Sequence, residues 1–61
     1  MANTKQQIVE VIARLQENIS RIEATIRMRC WQKGYVANCN ATIASYKEQI
    51  AKWELEFAAS N

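Results

Sequence analysis

RMRCWQKGYVANCN, residues 27–40, decides the fold, because the hydrophobic patterns on either side of it do not share a phase. N-terminal to it the apolar positions run Ile8, Ile12, Leu15, Ile19, Ile22 and Ile26, in alternating steps of four and three. C-terminal to it they run Val36, Cys39, Ile43, Tyr46, Ile50, Trp53 and Phe57. Each series is the heptad signature of a helix with one apolar seam. Carried through the quoted stretch, the first frame would place Arg29, Lys33 and Asn40 in the seam beside Val36. Charged and amide side chains cannot continue an apolar seam, so the chain turns there.

The same stretch gathers weak helix formers (Gly34, Tyr35, Val36, Asn38, Asn40, with Thr42 just beyond) in a chain that has no proline and one glycine. Gly34 is the natural residue to end the first helix with a positive φ, Tyr35 packing back on Cys30 as in a Schellman close. Arg29 and Lys33 then suit the negative end of that helix dipole. Thr4 followed by Gln7 fits a capping box at the other end. The expected fold is all-α: an antiparallel two-helix hairpin with helices over about 5–33 and 36–58, Asn38 and Asn40 being candidate caps of the second.

A register test supports the hairpin. Facing Ile8 with Phe57, Ile12 with Trp53, Leu15 with Ile50, Ile19 with Tyr46, Ile22 with Ile43 and Ile26 with Cys39 pairs an a position with a d position in every layer and sets the turn beside Gly34. A slip of one heptad would put Arg29 and Lys33 into the seam. The competing arrangement is one unbroken helix of about 80 Å in a parallel coiled coil, since an interior glycine costs only about 1 kcal/mol. The phase break argues against it.

Sixty-one residues form a single domain, 1–61, and a chain this short buries only about 60% of the surface its unfolded form exposes. Two helices alone half-cover their seams. Val9 and Val11 widen the first stripe on both flanks, Leu55 lies off the second seam, and Ala37, Ala44, Ala51 and Ala58 form a column that lets another helix approach closely. These seven residues are the expected self-association surface, and the simplest assembly is a homodimer forming a four-helix bundle. Two cysteines and no secretory leader read as a cytoplasmic protein. Glu10, Arg14, Glu17, Arg21, Lys47, Lys52 and Glu54 interrupt every apolar run, so no membrane span is expected.

Catalytic chemistry is not visible in the sequence. There is no histidine, no phosphate loop, and no nucleophile elbow or zinc-protease motif, and Cys30 and Cys39 do not form a CxxC pair. No catalytic residue, metal ligand or cofactor is assigned, and the expectation is a non-enzyme. What stands out is the tip. Arg27, Arg29, Trp31, Lys33 and Tyr35 interleave cations with aromatics, and no acid occurs between Glu23 and Glu48, although the net charge is only +2. Arg27, four residues before Trp31, could stack on it in a continuous helix.

Two functions fit. One is a small interaction protein of inhibitor, adaptor or chaperone type, an oligomeric hairpin that occupies a surface of a larger protein partner. The alternative is an anion-binding module whose tip holds nucleic acid or sequesters a nucleotide. Either would suit an accessory protein of a phage or mobile element, by size and simplicity alone.

Overall fold

A computed structural model describes residues 4–60. The chain is a two-helix hairpin: α1 spans Lys5–Met28, α2 spans Lys33–Ala59, and four residues connect them. The unbroken helix is thereby excluded. The molecule measures 46 × 16 × 14 Å, the length of one helix by the width of two.

Thr4 starts α1 through the expected capping box. The Gln7 backbone N–H donates to Thr4 Oγ1 at 3.2 Å, and the Thr4 N–H donates to Gln7 Oε1 at 2.9 Å, which satisfies two backbone donors that a helix start leaves bare. From there the seam organises the interior. Ile8, Leu15, Ile19 and Ile43 are buried, and Ile12, Ile22, Ile26, Val36, Cys39, Tyr46, Ile50 and Trp53 are half-buried. Among the described residues every buried hydrophobic is a seam residue. Phe57, the last of the series, stays 38% exposed at the open end. Its ring lies 5.1 Å from the Lys5 ammonium, and it shares a groove with Val9 and Ile12.

The turn departs from expectation. α1 ends at Met28 rather than near Lys33, and α2 begins at Lys33 rather than Val36. Arg29 closes α1 with φ −127° and ψ 33°, its N–H reaching the carbonyls of Thr25 at 3.0 Å and Ile26 at 3.2 Å. Gln32 N–H then bonds to Arg29 O at 3.0 Å, and Val36 N–H to Gln32 O at 2.9 Å opens α2. Among the described residues no φ is positive, so the connection never enters the left-handed region for which a glycine was expected. Gly34 lies in the first turn of α2 instead. Lys33 consequently sits at the positive end of a helix dipole, not the negative end of one. Asn38 and Asn40 are interior helical residues rather than caps, and the Asn38 carbonyl accepts from Thr42 Oγ1 at 3.0 Å.

Candidate functional site: a basic aromatic tip and an open flank

The four-residue connection brings the tip residues together from three pieces of chain. Arg27 lies in the last turn of α1, Arg29 and Trp31 in the connection, and Lys33 and Tyr35 in the first turn of α2. All five are exposed, Trp31 at 70% and Tyr35 at 37%. Arg29 stacks its guanidinium 5.3 Å from the Tyr35 ring centroid. The expected Arg27–Trp31 stack is absent from the cation–π pairs found among the described residues, for a geometric reason. It needed the i,i+4 spacing of a helix continuing past Trp31, and α1 stops three residues earlier. The close of the turn brings Arg29 to Tyr35 in its place.

Two features of the tip were not read from the sequence. Met28, off the seam in the last turn of α1, is 73% exposed and adds an apolar side chain three residues before Trp31. The start of α2 is also uncapped: Gln32 makes no side-chain bond to it, and its first turn holds no acid. The Val36 N–H reaches the Gln32 carbonyl, and no backbone hydrogen bond from the N–H groups of Lys33, Gly34 or Tyr35 is found among the described residues. Ion pairing lies elsewhere. The salt bridges among the described residues join Arg21 to Glu17 at 2.6 Å and Lys52 to Glu48 at 4.0 Å, so the tip cations keep their charge unneutralised. Cys30 is exposed and Cys39 half-buried, both as free thiols. No three Cys, Asp or Glu side chains converge among the described residues in a way that could hold a metal ion.

The second candidate surface runs along one flank near the open end. Val9, Ile12, Ala13 and Gln16 of α1 and Glu54 and Phe57 of α2 line an open, mainly apolar groove. Val9 is 51% exposed and Leu55 72%, and Ala37, Ala44, Ala51 and Ala58 are all exposed, whereas Val11 is half-buried. Val9 and Val11, expected to widen the stripe on both flanks, point to nearly opposite sides of α1, and Val9 is the one that lines the groove. Ala13, Gln16 and Glu54 were not singled out by the seam pattern because they lie off both seams, whereas Ile12 and Phe57 are seam residues that also line the groove.

No helix among the described residues is long and apolar enough to cross a membrane. Comparison of the chain with protein-family models, curated proteins and solved structures found no match.

Proposed function

We propose that the protein is a non-enzymatic interaction module of inhibitor, adaptor or chaperone type, an oligomeric helical hairpin that inserts its tip into a surface of a larger protein partner. The observation that carries this reading is the exposure of Met28 and Trp31 at one end of the rod, beside Arg27, Arg29 and Tyr35. Tryptophan, tyrosine and arginine are the residues from which energetic centres of protein interfaces are most often built. A flexible methionine adapts its shape to an apolar pocket. No packing role within the hairpin accounts for either exposed side chain.

The test compares wild type with a variant carrying Arg27→Gln, Arg29→Gln, Trp31→Ala and Lys33→Gln as bait in host lysate. None of the four is a seam residue, so the variant melts and elutes like wild type. Loss of a partner that wild type retains supports the reading. Retention of the same partner by both removes it.

A second reading, in which the tip binds a nucleotide or a nucleic acid, is favoured by the bare first turn of α2 next to Arg29 and Lys33. N–H groups at a helix start, helped by the dipole, favour a phosphate. Titrating a single-stranded oligonucleotide at several salt concentrations separates the two readings, because phosphate-mediated binding weakens steeply with salt.

A further inference from the structure

We propose that a second copy of this chain covers the Val9 flank, with α2 of each copy packed antiparallel against α2 of the other and the two basic tips at opposite ends. The inference rests on the self-association in the reading above and names its face and its direction.

The area calls for a cover of this size. The chain exposes 4845 Å², while a compact monomer of 7.0 kDa exposes about 4000 Å². The excess, roughly 800 Å², matches what one partner buries in a standard stable interface. Among the described residues four hydrophobic side chains are buried and the other interior seam residues are only half-covered, a thin core for a lone hairpin.

The groove selects the flank. Glu54 lines it, and Ala51 and Ala58 lie three residues before and four after Glu54, hence on the same side of α2. Ala44 and Ala37 continue that line upward in steps of seven. The side chains stop at Cβ, so a second helix comes within about 8 Å of α2 along this line. An antiparallel copy of α2 then faces Ala44 with Ala51 and Ala37 with Ala58, alanine against alanine in each layer, and brings exposed Leu55 near Ala41 of the other copy. Val9, Ile12 and the Phe57 ring are covered at the open end.

Charge selects the direction. Arg27, Arg29 and Lys33 sit at the tip with no acid, whereas the open end mixes Glu10, Glu54 and Glu56 with Lys5, Arg14 and Lys52. Two hairpins with their tips together would stack both cation clusters, and like charges so placed repel. Turning one copy end over end sets each tip beside the mixed-charge open end of the other.

Light scattering after size exclusion, combined with cysteine cross-linking, tests the arrangement. Wild type should elute as a dimer. Ala44→Glu together with Ala51→Glu should weaken dimerisation by about a hundredfold or more, since four carboxylates would be buried around the two-fold axis. Val11→Asp, on the opposite flank, should leave the dimer intact. In a background of Cys30→Ser and Cys39→Ala, chains carrying Ala44→Cys should form disulfides with chains carrying Ala51→Cys, and neither chain with its own kind. That readout needs no destabilising charge, so it decides the matter even where the glutamate variant fails to fold. A dimer broken by Val11→Asp but not by the glutamates would overturn the face assigned here and leave self-association standing. Cross-linking of Ala44→Cys chains to each other and of Ala51→Cys chains to each other would overturn the direction, self-cross-linking of Ala44→Cys alone would overturn the alanine pairing, and a monomer at every concentration would remove both the inference and the self-association on which it rests.

Discussion

Replacing Gly34 with alanine should stabilise the protein. The expectation from sequence has the opposite sign, because a glycine closing α1 with positive φ could not become alanine without strain. In the structure Gly34 is the second residue of α2, its φ is not positive, and a Cβ built on it meets nothing within 4 Å. The substitution therefore adds no clash and removes backbone freedom from the unfolded chain. In a helix interior the gain from glycine to alanine is about 0.8–1.0 kcal/mol, and in a first turn, where the helix is less constrained, about 0.5 kcal/mol is the reasonable lower figure. For a domain of this size each kcal/mol moves the melting temperature by about 4–8 °C, so the rise should be roughly 2–8 °C. Thermal unfolding followed by circular dichroism measures it, at one fixed protein concentration because assembly shifts apparent stability. Alanine also lowers the cost of running both helices together, so sedimentation velocity should accompany the melt and remain unchanged. A drop in melting temperature with unaltered sedimentation would refute the reasoning and return Gly34 to the end of α1.

Ile8 is fully buried, and Ile8→Ala should cost about 2–5 kcal/mol, enough to unfold a marginal domain, with Leu15→Ala in the same range; urea titration of both against the surface control Glu17→Ala, which should stay within about 0.5 kcal/mol, checks the seam. Thr4→Ala removes the hydroxyl that accepts from Gln7 N–H and should cost about 0.5–2 kcal/mol in the same titration, while Thr4→Ser, which keeps an acceptor there, should recover most of it.

The seam was legible because burial follows helical period, and period needs only the positions of isoleucines and their like. The turn was not, for the same reason. Between Ile26 and Val36 no residue belongs to either seam, so the pattern is silent over the nine positions in which α1 ends and α2 begins. Within that gap glycine was the most visible signal, and it marks a helix end only where the chain needs positive φ. A connection from Arg29 to Gln32 with every φ negative leaves glycine no special duty, and α2 takes in Gly34 as an ordinary helical residue at a small cost in stability.

The tip was legible as a composition and not as a geometry. A shortage of acid between Glu23 and Glu48 survives any placement of the turn, so the positive end of the rod could be read from residue order alone. Which cation meets which ring depends on where the helix stops. Moving that end from Lys33 to Met28 exchanges an Arg27–Trp31 pair along one helix for an Arg29–Tyr35 pair across a turn. Tyr35 is 37% exposed while Trp31 and Met28 are 70% and 73% exposed, so on the proposed reading the latter two are the side chains that would enter a partner. Truncating Trp31 should therefore weaken partner binding more than truncating Tyr35, even though both rings sit in the same basic cluster.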